Sequence, residues 1–148
     1  MKFVKPTQEM AIDIGLGMRE EDEVEIRLSH NVDPVSAMLE SFINSDICDA
    51  LQGDDGTPVG MCGVAKQSIW LLGTDNLTVN KSHKKFLCIE GKEWVDNCLK
   101  EVGKPLGNWV YAENKKSIKW LKYLGFTVND PRPYGHNRAL FCQFWRFN

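Results

Sequence analysis

Along the chain, apolar positions change their spacing from strand-like to helix-like and back, and those changes outline the elements. Residues 2–5 read as a short strand stopped by Pro6. Thr7 then suits an N-cap, with Met10, Ile12, Ile14, Leu16 and Met18 behind it; Gly15 and Gly17 weaken that helix and end it. The run MREEDEVEIRL predicts a second short helix, with Glu20, Glu21 and Asp22 in its first turn complementing the helix dipole and forming a solvated face. Asp33-Pro34 is a capped helix start, and Val35, Met38, Leu39, Phe42 and Ile43 follow it on one helical face. ICDALQ and VGMCGVAK flank a Gly-Asp-Asp-Gly turn, predicting a hairpin, and SIWLL (68–72) extends it to a three-stranded antiparallel meander.

A polar connection (74–82) leads to a long helix over about 82–102, which buries Phe86, Leu87, Trp94, Val95, Cys98, Leu99 and Val102 and ends at Gly103 and Pro105. A strand at 108–112 and a helix at 114–124 follow, the helix turning Ile118, Leu121 and Leu124 inward before Gly125-Phe126. PRPYG (131–135) reads as a rigid turn, and ALFCQFWRF as a last strand. If that strand is an edge, its aromatics make a sticky surface, and a dimer or larger assembly is expected. Strands followed by strand–helix–strand imply a mixed α/β sheet with helices packed on it. No repeat, linker or low-complexity tract interrupts 1–148, so one domain is expected.

Composition changes this picture little. Hydrophobic residues make up 43% and charged residues 26%, enough to bury a real core. The net charge of −2 provides no global field to attract nucleic acid or anionic membrane. Apolar runs are far below the roughly 20 residues of a membrane span, and the first residues lack a signal-peptide stretch, so a cytoplasmic location is expected. The five cysteines contain no C-x-x-C pair and read as buried free thiols. The three histidines are widely separated, so no dedicated metal site is expected.

The stretches MREEDEVEI (18–26), PVGMCGVA (58–65), WLLGTD (70–75), NWVYAENKKSIKWLKYLGF (108–126) and PRPYG carry a resemblance along nearly the whole chain. In this order and spacing the sequence resembles the GNAT superfamily, the acyl-CoA-dependent N-acetyltransferases. Within it, the chain is most similar to small GNAT-like proteins of tailed phages, a group classed with an internal virion (core) protein of podoviruses. The resemblance implies a mixed, mostly antiparallel sheet of about six or seven strands with helices on both faces. It implies that the strands holding 70–72 and 109–111 start paired and splay, admitting the pantetheine arm of acetyl-CoA. Trp70, Leu71 and Leu72 would then contact the cofactor, as would Asn114 and Ser117 of the motif N-x-x-[A/S]-x-x-[L/W]-x-x-x-x-G-F.

Where GNAT enzymes hold the pyrophosphate with a glycine-rich loop, this chain offers GTDNLTVNKSHKKF (73–86), with Gly73 but no G-x-G. Thr78, Lys81 and Ser82, with His83, Lys84 and Lys85, place donors and positive charge there instead. Leu121 stands where family members carry a Tyr acid; Tyr123 lies two residues on, and Tyr111 and Tyr134 are the other phenols. Glu113, Asp75 and His136 are candidate bases for an attacking amine; Asp75 also reads as a turn residue and Glu113 as a helix-cap acid. Trp70 and Trp109 would either line a pocket between the splayed strands or fill it. The functions implied are an acetyl-CoA-dependent N-acetyltransferase acting on an amine or protein, or a non-catalytic GNAT-like protein of phage morphogenesis. A host- or phage-protein partner, the host cytoplasm and the virion interior belong to the same implication.

Overall fold

Thr7 and Asp33 cap their helices as their sequence contexts predict. The Thr7 hydroxyl accepts from Met10 N at 3.2 Å and the Asp33 carboxylate from Ser36 N at 3.0 Å. In the computed structural model, which describes residues 1–148, these caps open α1 (Gln8–Leu16) and α3 (Pro34–Asn44), with α2 (Glu20–His30) between them. Ahead of α1 lies β1 (Lys2–Val4), and after α3 come β2 (Ile47–Gln52), β3 (Pro58–Ala65) and β4 (Ser68–Gly73). The predicted polar connection contains one turn of helix, α4 (Asn76–Val79), and leads to α5 (Lys81–Val102). The chain ends with β5 (Leu106–Tyr111), α6 (Lys115–Tyr123), β6 (Thr127–Val128), β7 (Arg132–Tyr134) and β8 (Ala139–Arg146).

All eight strands join one sheet in the order β1-β2-β3-β4-β5-β8-β6, with β7 also paired to β8. Every pairing is antiparallel except β4 with β5. The alternation of β4 shows how the faces are covered. Ile69 and Leu71 turn toward the apolar clusters built with α5 and α6, including Val95, Leu99 and Leu121. Trp70 and Leu72 turn the other way, onto Ala11, Ile14 and Met38 of α1 and α3. Helices therefore lie on both faces, and no helix is long and apolar enough to cross a membrane. The cysteines are free, three of them buried, and burial pushes the Cys98 thiol up to about 12.

Two expectations change. PRPYG is not only a turn, because Arg132–Tyr134 pairs with β8; Pro133, which has no N–H to donate, is tolerated in so short an outer strand. β8 is not an edge, since β5 lies on one side and β6 and β7 on the other, and Phe141 and Phe144 are buried. The sticky-edge argument for self-association therefore loses its basis.

β5 has to approach β8 closely where it also meets β4. A Cβ on Gly107 would collide with the Phe144 carbonyl oxygen, which as backbone cannot step aside. Gly107→Ala is expected to lower stability by about 1–3 kcal/mol, read as a reduced midpoint in urea with unchanged slope.

Candidate functional site

The parallel pair β4–β5 is registered only at Ser68↔Gly107, where Gly107 N donates to Gln67 O at 3.0 Å. One side-chain rung follows, Asn108 Nδ2 donating to Ile69 O at 2.9 Å. Beyond it the strands part, as the sequence resemblance implied. The gap opens into a cavity of about 560 Å³ lined by Trp70 and Leu72 of β4, Trp109 of β5, and Ser117, Trp120 and Leu121 of α6. Trp70 and Trp109 thus line the space: Trp70 donates to Ser45 Oγ at 2.8 Å, and Trp109 stacks on Tyr134 at 4.2 Å. Trp120 Nε1 is buried without a hydrogen-bond partner.

α2 closes the cavity from the other face of the sheet. The chain enters it through a bridge between Met18 and Thr74 and through Arg19 N donating to Gly73 O at 2.9 Å. Arg19 then pairs with Asp22 by two N–H···O bonds of 2.7 and 3.1 Å, both residues being under a tenth exposed. Asp22 also accepts Gly73 N at 2.9 Å, and Arg19 donates to Thr78 Oγ1. Burial alone would favour a neutral guanidine, but the Asp22 carboxylate, helped by Glu21 and Glu25, holds Arg19 above its ordinary value.

One turn on, Glu25 lines the same cavity. Its Oε1 accepts Tyr111 N at 3.0 Å and Asn114 Nδ2 at 3.2 Å, so it sits where β5 leaves β4. Burial raises its pKa from 4.5 to about 7, the two donated hydrogen bonds pulling it down and the Asp22 charge pushing it up. A carboxyl poised near neutrality in a cavity has the properties of a general base. The acidic run is therefore only partly a solvated face: Glu20, Glu21 and Glu23 are exposed, but Asp22 and Glu25 turn inward. Asp22, Glu25, Ile26 and Ser29 fall at i, i+3, i+4 and i+7, a stripe that could have revealed Glu25 in the sequence.

The other sequence candidates divide. Trp70, Leu71, Leu72 and Ser117 line the cavity. Asn114 stands beside it as the cap of α6, its Oδ1 accepting Ser117 N at 3.4 Å and its Nδ2 serving Glu25. Leu121, at the position where the sequence resemblance expects a phenol, lines the cavity, and Tyr134 is the phenol that lines it. Tyr123 does not: it lies on the outer side of α6, 53% exposed, with the Lys92 ammonium over its ring. Glu113 and Asp75 are exposed and outside the cavity, at the turns that precede α6 and α4.

The start of α5 has no glycine nest, and Asn80 engages backbone donors there. Asn80 Oδ1 accepts Ser82 N at 2.8 Å and His83 N at 3.4 Å, and Lys84 N donates to Asn80 O. Thr78 is engaged by Arg19, and His83 is buried against Asn76 O. The side chains left for a phosphate are Lys81, Ser82, Lys84 and Lys85, all exposed. None of them lines the cavity; their side-chain charge is what the start of α5 would offer to a phosphate, and the β4–β5 gap is where an extended arm would lie.

No family model matches the chain, and no curated protein matches its sequence. Solved structures do match its fold. A GCN5-related N-acetyltransferase from Kribbella flavida is similar at TM-score 0.65 and 15% identity, over 98% of this chain and 96% of that one. A GNAT-superfamily phosphinothricin acetyltransferase from Sinorhizobium meliloti, solved with acetyl-CoA, is similar at 0.64 and 12%, over 97% and 85%. The ribosomal-protein-S18-alanine N-acetyltransferase of Escherichia coli is similar at 0.62 and 12%, over 97% and 89%. The chain has the GNAT fold.

Proposed function

We propose that this protein is an acyl-CoA-dependent N-acyltransferase that uses Glu25 as the base for its acceptor amine. One observation carries the reading: a carboxyl with a pKa near 7 lines the cavity that opens where β4 and β5 part. The neighbours that share the fold are N-acetyltransferases, one of them solved with acetyl-CoA, which supports the same cofactor here.

Acyl-CoA, when bound, supplies the activated acyl thioester. The chain supplies the rest. Backbone of residues 70–72 would present polar groups to the arm, while Ser117, small and at the start of α6, would leave it room. Glu25 takes the proton that the neutral amine nitrogen sheds as its lone pair attacks the thioester carbonyl. Leu121 has no proton to give, so the departing thiolate, with an ordinary pKa of about 8.5, takes its proton from solvent. Tyr123, Glu113 and Asp75 have no part in this scheme, because they do not reach the cavity.

The test is acyl transfer from acetyl-CoA to a panel of primary amines, followed by thiol release and by the mass of the product. Release of thiol without an acylated amine would contradict the reading. A second prediction concerns the phosphate end. Lys81→Ala combined with Lys84→Ala is expected to weaken acetyl-CoA about tenfold, and wild-type affinity should fall with added salt. S-acetylpantetheine, which lacks the nucleotide, should bind both proteins equally.

A second reading rests on two features: Leu121 in place of a phenol and an α5 start whose donors Asn80 has taken. Both favour a GNAT-fold protein that has kept its scaffold and lost turnover. Phage origin, action in the host cytoplasm or virion, and a phage or host protein partner are carried by the sequence resemblance and extend the proposal.

A further inference from the structure

The walls of the cavity hold more negative charge than acyl transfer requires. Arg19 is the only Lys or Arg that lines it, and Asp22 neutralises that charge. Two other carboxylates line the same space, Glu25 on α2 and Glu40 on α3, and neither forms an ion pair with a basic side chain. Glu25 is mostly buried, whereas Glu40 is exposed, which places Glu40 at the solvent side of the cavity. Trp109 and Tyr134, stacked with 12° between their planes, line the space as well. Carboxylates without a basic partner beside aromatic faces attract cations and repel anions.

We infer that the acceptor is a small aliphatic diamine or polyamine, one nitrogen meeting Glu25 and a second, as ammonium, meeting Glu40 and the aromatic wall. This rests on the acyl-transfer reading of the same cavity. In the transfer, the C–N bond to the first nitrogen forms as the thioester C–S bond breaks. The nitrogen's proton goes to Glu25, and CoA leaves as the thiolate. The second nitrogen keeps its charge throughout and contributes binding and orientation. An amino-acid acceptor would bring its own carboxylate toward Glu40, and a simple alkylamine would leave Glu40 unpaired.

The test uses the whole protein without acyl-CoA, so that binding is read apart from turnover. Putrescine, butylamine and γ-aminobutyrate are titrated separately near neutral pH, following the indole N–H signals of Trp70 and Trp109 by NMR. Putrescine is expected to bind at least about tenfold more tightly than butylamine, with γ-aminobutyrate weakest, and added salt should shrink the difference. Glu40→Gln, at an exposed position that does not threaten folding, should cut the putrescine preference to about threefold or less. Equal affinities for the three, tighter binding of γ-aminobutyrate, or tighter binding of a lysine-containing peptide than of putrescine would overturn the inference. The two proposals fail separately. Putrescine binding without transfer to any amine would keep the cavity's preference for diamines but remove the acyltransferase reading and, with it, the acceptor role; efficient acylation of γ-aminobutyrate would keep the acyltransferase reading and overturn this inference.

Discussion

Glu25→Gln is expected to lower kcat/KM for acyl transfer by about 10²- to 10⁴-fold, the range by which a positioned general base contributes. Glutamine keeps a carbonyl oxygen to accept Tyr111 N, so the local structure survives while the proton acceptor is lost. In the wild type, kcat/KM should rise with pH through an ionisation near 7, the value to which burial brings this carboxyl, and Glu25→Gln should abolish that limb. Stability should move in the opposite direction. A carboxyl whose folded pKa is raised stabilises the fold fully below its unfolded value, near 4.5, and that contribution is lost as pH rises through about 7. The wild type therefore carries a buried charge at alkaline pH that the amide does not. Glu25→Gln should exceed the wild type in stability above neutrality by up to roughly 3 kcal/mol, with little difference in acid. Thermal unfolding on either side of neutrality checks this. Lower activity together with higher stability is the signature of a residue held at a structural cost for chemistry.

Asp22→Ala should be the most destabilising single change in the site, by about 3–5 kcal/mol. It removes the partner of a guanidinium that is only 8% exposed and deprives Gly73 N of its acceptor. The loss is larger than for an ordinary surface ion pair because water cannot replace the missing carboxylate. Urea unfolding followed by tryptophan fluorescence measures it. Glu21→Ala, one residue away but exposed, is the control and should change stability by less than about 0.5 kcal/mol. Asp22 also ties α2 to the end of β4, so the variant that remains folded should lose activity through a displaced Glu25.

Most of the elements were legible in the sequence because they depend on local signals: a capping Thr or Asp, a Gly-Asp-Asp-Gly turn, and apolar spacing that changes between strand and helix periods. The β4–β5 gap was legible only through resemblance, since no residue in either strand encodes where they part. Two pairings escaped the reading for physical reasons. PRPYG carries turn residues, and only the presence of β8 alongside turns 132–134 into a strand. Whether β8 is an edge stayed open in the sequence because β6 and β7, which cover its far side, are two and three residues long and leave no periodic trace. Trp70, Leu71, Leu72 and Ser117 stand out in the sequence and line the cavity, whereas Glu25, which also lines it, does not stand out. It sits in a run of acids in which charge masks the helical stripe of Asp22, Glu25, Ile26 and Ser29. Its burial comes from contacts with Tyr111 and Asn114, more than eighty residues away in sequence.

The central claim is that the gap between β4 and β5 receives acyl-CoA. Isothermal titration of acetyl-CoA into the protein, with backbone amide shifts recorded on the same sample, tests it most directly. The account predicts one-to-one binding in the micromolar range, with the largest shifts at residues 70–72 and 114–117 and at the Trp120 indole. No heat at millimolar acetyl-CoA, or shifts confined to the lysines at the start of α5, would contradict it.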